Sequence, residues 1–199
     1  MRARLILAVV VIVLLVVIIT GWIEIRHGFR ARDNPTVLEA FVARKVRMMA
    51  IPREAKNENN PYAPVPDTLT EARHHFADHC ALCHGNDGRG NTTIGRNLYP
   101  KAPDMRLAAT QNLTDGELYY IIHNGIRLSG MPAWGEAHAK DEDSWKLVLF
   151  IRHLPKLTPK EEKDMERYNP KSAAEHSEEE EEEQFLKGGN PPRTTQHQN

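Results

Sequence analysis

From Leu5 to Ile19 the chain runs without a polar residue, and Thr20 and Gly21 interrupt the stretch only briefly before Trp22 and Ile23. A segment this apolar has few options: in hydrocarbon every backbone polar group must be satisfied internally, which selects a helix. Leu5 to Ile23 is 19 residues, which at about 1.5 Å per residue spans roughly 28 Å, the thickness of a bilayer core. Trp22 sits where an interfacial aromatic belongs. A cleaved signal peptide would be shorter and would end in small residues, whereas Ile18-Ile19-Thr20-Gly21-Trp22-Ile23-Glu24 is mostly bulky. An uncleaved single-pass anchor over residues 1–25 is expected. Arg2 and Arg4 precede the span and Arg26, Arg30 and Arg32 follow it, so the positive-inside rule alone leaves orientation nearly balanced.

The formal net charge of −1 argues against nucleic-acid binding, but it is a cancellation. Residues 1–66 carry a net +5, residues 67–155 a net −2 and residues 156–199 a net −4. Asn34-Pro35 can open a helix in which Val37, Leu38, Phe41, Val42, Val46, Met48 and Met49 recur at helical spacing. Packing of this helix on the neighbouring domain is expected, the alternative being a basic helix on the membrane surface. Pro52, Pro61, Pro64 and Pro66 with Asn57, Asn59 and Asn60 mark a linker, so residues 26–66 read as amphipathic helix plus linker.

The compact part runs over residues 67–155. Thr68-Leu69-Thr70-Glu71 and Thr114-Asp115-Gly116-Glu117 have capping-box spacing, and Asp141-Glu142-Asp143 favours a third helix start. Gly125 and Pro155 are stop signals. A Gly/Pro/Asn-rich loop spans residues 85–110, and no strand-like alternation of useful length occurs. The expected class is all-α, with three or more short helices and only a modest core. Residues 156–199 open with a third capping box at Thr158-Pro159-Lys160-Glu161 and a short helix to about Tyr168. They then carry acids from Glu178 to Glu183 and read as largely disordered.

Both cysteines of the chain fall within Cys80-Ala81-Leu82-Cys83-His84. Two thiols three positions apart on one turn can each add to a porphyrin vinyl group, and the next residue, His84, then falls beneath the iron. A redox dithiol would need a βαβ context, and a zinc site a second ligand pair; neither is present. Ser129-Gly130-Met131-Pro132-Ala133-Trp134-Gly135 offers the sixth ligand, because Gly130 allows close backbone approach and Pro132 stiffens the turn presenting the Met131 sulfur. Met105 is the second candidate. His123, His138 and His153 would give bis-histidine ligation.

With these motifs, residues 67–155 resemble class I, cytochrome c-type monoheme domains of the membrane-anchored bacterial kind. The resemblance rests on CALCHG at 80–85, GMPAWG at 130–135 and the final helix around Asp143–Leu154. It implies helices crossing near one covalent heme c, with a proline carbonyl, Pro103 or Pro100, accepting the ring N–H of His84. Trp134 and Arg96 are possible propionate contacts, or equally packing and surface residues. The implied function is single-electron transfer between respiratory redox partners by a non-catalytic carrier with no small-molecule substrate. Membership of a larger oxidase or dehydrogenase complex is the alternative, and a ligand-binding or peroxidase-type heme protein a more distant one. Heme c attachment in bacteria takes place outside the inner membrane, so the domain is expected in the periplasm with Met1–Arg4 in the cytoplasm.

Overall fold

The computed structural model describes residues 2–27, 30–135, 141–171, 183 and 185–187. His138 and most of the acidic run lie outside them. No β-strand occurs among the described residues. Helix α1 (Arg2–His27) contains a window, Arg2–Ile23, with mean hydropathy 3.3 and no part buried within the protein, long and apolar enough to cross a bilayer.

Helix α2 (Val37–Ala50) starts two residues later than Asn34-Pro35 predicts. Thr36 is its cap, accepting from the Glu39 N–H while the Glu39 carboxylate accepts from the Thr36 N–H. The stretch expected as a plain linker is fastened to the domain. It contains α3 (Arg53–Lys56), the Asn60 amide donates to the Trp145 carbonyl at 2.8 Å, and the Thr114 hydroxyl donates to the Lys56 carbonyl at 2.9 Å. Gly116 explains how closely α3 can approach: a Cβ there would lie 1.8 Å from the Ala55 carbonyl oxygen.

Helix α4 (Pro66–His75) begins before the Thr68 box because Pro66 occupies the first helical position, where its fixed φ favours the helix and its missing N–H is harmless. Over Phe76–Cys80 the turns widen, with the Ala81 N–H reaching the Phe76 carbonyl five residues back, and α5 (Ala81–His84) follows. Short helices α6 (Thr93–Arg96) and α7 (Ala108–Gln111) punctuate the long loop before α8 (Asp115–Asn124). The Thr114 capping box forms as expected, and Gly125, at φ +67°, ends α8.

Helix α9 (Glu142–His153) packs on α4 in the most extensive helix contact of the domain. Leu147, Val148, Phe150, Ile151 and Leu154 pack with Ala72, Phe76 and Ala77, and the Phe76 and Phe150 rings lie 5.0 Å apart in a tilted pair. Each such aromatic contributes roughly 1.5–3 kcal/mol by burial. Ordered packing continues past the boundary expected at 155. Helix α10 (Pro159–Met165) buries Met165, and Arg73 of α4 reaches Glu161 at 3.5 Å and Asp164 at 3.3 Å.

Asp141 ties α9 to α8. Its carboxylate accepts from the Ser144 N–H at 2.9 Å and from the Ser144 hydroxyl, and faces His123 Nδ1 at 3.1 Å. Burial pushes this carboxyl up, but Ser144 and His123 outweigh it and hold it below its ordinary value. A lowered folded pKa means stability that is complete above the unfolded value, near pH 4, and lost as pH falls through the folded value. Asp141→Asn should therefore lower stability by about 1–2 kcal/mol at neutral pH. Denaturant unfolding at a series of pH values should show the difference from the native chain closing below pH 4.

Candidate functional site

The turn that carries both thiols is held from below by the loop that follows it. The Gly85 N–H donates to the Ala81 carbonyl at 2.8 Å, and Gly85 takes φ +74°, which turns the chain away immediately after His84. The Gly90 N–H donates to the His84 carbonyl at 2.6 Å. The Thr92 hydroxyl lies 2.9 Å from the Leu82 carbonyl and 3.1 Å from that of Cys83, and it accepts from the Gly95 N–H at 2.8 Å. Carbonyls of α5 that the helix cannot satisfy are thus satisfied by residues 90–92. Sequence reading missed Thr92 and Gly95. The available signal was a threonine three residues before a glycine, an N-cap pattern inside what reads as plain loop.

Cys80 and Cys83 are not paired with each other. Burial, assisted by the neighbouring Cys83, pushes the Cys80 thiol up to about 12, and burial also raises that of Cys83. Both are protonated at neutral pH, the opposite of the acidic thiols used in disulfide exchange. Burial lowers the pKa of His84, opposed by the Pro103 backbone carbonyl, so the neutral imidazole is favoured. His84 Nδ1 is buried without a well-aligned hydrogen-bond partner. Of the two prolines left open, the Pro103 carbonyl is the one that favours the charged form of His84. Pro100 follows a cis peptide bond from Tyr99 on the exposed part of the same loop.

The segment bearing Met131 is pinned to α8. The Ile126 N–H donates to the Met131 carbonyl at 3.1 Å, the Met131 N–H to the Ser129 hydroxyl at 3.1 Å, and the Ser129 hydroxyl to the Ile126 carbonyl at 2.7 Å. The Trp134 and Gly135 N–H groups donate to the Ile122 and His123 carbonyls at 3.1 and 3.0 Å. Gly130 lies against Leu98, where a Cβ would meet Leu98 Cδ2 at 2.6 Å. The long loop after His84 and the methionine loop therefore touch, and Met131 itself is half-buried.

The other candidates have partners of their own. Met105 is buried in the core cluster, its N–H donating to the Gly88 carbonyl at 2.8 Å and its carbonyl accepting from Gln111 at 2.8 Å. His123 faces Asp141, and His153 Nε2 lies 3.0 Å from Glu161. Trp134 packs on the core and stands edge-on to His79 at 5.2 Å. Arg96 is exposed, its guanidinium donating to Asn91 Oδ1 at 2.8 Å.

Against this geometry, residues 67–151 match the family described as cytochrome C oxidase, cbb3-type, subunit III. The chain carries a c-type cytochrome domain. No curated protein matches the chain. A c-type cytochrome domain binds heme c, and the residues present fit that group: two protonated thiols on one turn and a half-buried histidine, its neutral form favoured and its Nδ1 buried, leaving Nε2 as donor. The match covers the stretch that contains most of the packed pair α4 and α9, with α5 and the methionine loop. The segments on either side, residues 2–66 and beyond 151, lie outside the match.

Proposed function

We propose that this chain is a membrane-tethered monoheme cytochrome c that passes single electrons between respiratory partners. Cys80 and Cys83 hold the heme covalently, His84 and Met131 are the axial ligands, and residues 1–25 anchor the domain on the periplasmic face of the inner membrane. The observation that carries the reading is the division of labour among the candidate donors. His84 is half-buried with its Nδ1 out of solvent and its neutral form favoured, whereas His123 and His153 are engaged by carboxylates and Met105 fills the core.

When bound, the heme supplies an iron that cycles between ferric and ferrous forms. The chain's residues set the conditions. A thioether opposite histidine favours the ferrous form and raises the potential relative to two histidines. Buried Ile122 and Leu147 keep the surroundings apolar, which acts in the same direction. Tyr99 donates its hydroxyl to Glu39 at the surface. Absorption spectroscopy of the purified full chain tests the proposal. A low-spin ferric spectrum with the sulfur–iron charge-transfer band is expected, and a high-spin spectrum whose reduced form takes up carbon monoxide would reject it.

The description of the matched family favours one second reading, a heme subunit fixed in a larger oxidase complex. Mild detergent extraction followed by affinity capture separates the two: a stoichiometric set of co-purifying membrane subunits supports the complex, and recovery of the chain alone supports the free carrier.

A further inference from the structure

Helix α2 sits on the domain the wrong way round for a water-soluble protein. Around the helix, Ala40 and Arg47 turn inward and are half-buried, and Ile51, just past the end, is buried. Contacts with the domain come from the polar side and from the ends: Tyr99 donates to Glu39, Lys101 donates to Asn34 at 2.7 Å, and the Lys56 ammonium donates to the Met48 carbonyl at 2.5 Å. The opposite face carries Leu38, Phe41, Val42, Val46 and Met49, with exposures from 48% for Val42 to 83% for Met49. A surface helix ordinarily turns such a stripe to the core, and contiguous exposed apolar patches mark interaction sites.

We infer that the outward face of α2 lies in the interfacial layer of the bilayer that holds α1, so that the cytochrome domain rests on the membrane through its own juxtamembrane helix. The inference rests on the reading of α1 as an anchor. Two features select lipid as the occupant. First, α1 ends at His27 and α2 begins at Val37, a connection that spans at most about 35 Å at full extension and keeps α2 near the surface where α1 emerges. Second, the charge suits phosphate headgroups. Lys45 projects beside the apolar stripe with its ammonium 5.8 Å from the Phe41 ring centroid, and its neighbour Arg44 is exposed as well. A cation whose stem follows apolar surface while its head stays at headgroup level is the usual arrangement of interfacial helices.

The test uses the full heme-loaded chain in vesicles of phosphatidylethanolamine and phosphatidylglycerol that contain a trace of photoactivatable phospholipid, with cross-links mapped by mass spectrometry. Peptides from residues 37–50 should be labelled several-fold above peptides from residues 81–135, alongside labelled α1. Leu38→Glu combined with Met49→Glu, both highly exposed positions, should abolish α2 labelling while leaving α1 labelling and the heme spectrum unchanged. Labelled α1 with unlabelled α2 overturns the inference and assigns the face to a protein partner. If neither helix is labelled, the anchor reading fails and the inference fails with it.

Discussion

Replacing Met131 by alanine is expected to abolish the sulfur–iron charge-transfer band, to let the reduced protein bind carbon monoxide, and to lower the reduction potential. Axial ligands command a range of roughly 0.8 V across heme proteins, so a shift on the order of 100 mV or more is anticipated by spectroelectrochemical titration. The fold should survive. The bonds that shape the loop, from the Ile126 N–H to the Met131 carbonyl and from the Met131 N–H to Ser129, involve backbone that alanine retains. Met131 is half-buried, so its truncation should cost less than the roughly 2–5 kcal/mol of a fully buried methionine. Met105→Ala provides the contrast. Met105 is 7% exposed and packed in the core, and its loss should cost roughly 2–5 kcal/mol in denaturant unfolding with the charge-transfer band intact. The reverse pattern, with the band lost in Met105→Ala and kept in Met131→Ala, would move the sixth ligand.

The sequence was most legible where chemistry depends on local spacing. Cys80, Cys83 and His84 share one turn, and the Thr114 and Thr158 capping boxes formed as written because their partners lie three residues away. The resemblance implied that the first and last helices of the domain meet, and α4 packs on α9. What stayed hidden was set by contacts distant in sequence. Nothing local marks Asn60 as a donor to Trp145, 85 residues on, or Gly116 as the point where α3 lands, so the Pro/Asn-rich stretch read as a free linker. The Thr68 box lost to Pro66 because a proline at the first helical position starts the turn three residues earlier. For α2 the periodicity was read correctly, but periodicity reports that a face is apolar and says nothing of which way it turns. Arg96 shows the same limit: its charge was visible, its engagement with Asn91 was not.

Gly95→Ala should damage the turn that carries the thiols and His84. A Cβ at Gly95 would lie 2.2 Å from the Cys83 carbonyl oxygen and 2.6 Å from that of Gly90, and both are backbone atoms that cannot rotate aside. The Gly95 φ is not in the left-handed region, so the effect is steric. Relief requires the 90–95 loop to move off α5, which breaks the Thr92 bonds to the Leu82 and Cys83 carbonyls and the Gly90 bond to His84. Overpacking of this kind costs typically 1–3 kcal/mol, and lost backbone bonds at a partly buried turn add to it. The loss falls on the turn that presents the thiols and His84. The yield of covalently attached heme, read by heme stain per unit protein, should therefore drop several-fold, and the surviving holoprotein should unfold at lower denaturant. Gly21→Ala serves as the control, since a Cβ there meets nothing within 4 Å and alanine suits a helix better. Equal heme yield in both variants would mean that the loop yields without disturbing α5, and that the geometry around His84 is set by Pro103 and the core instead.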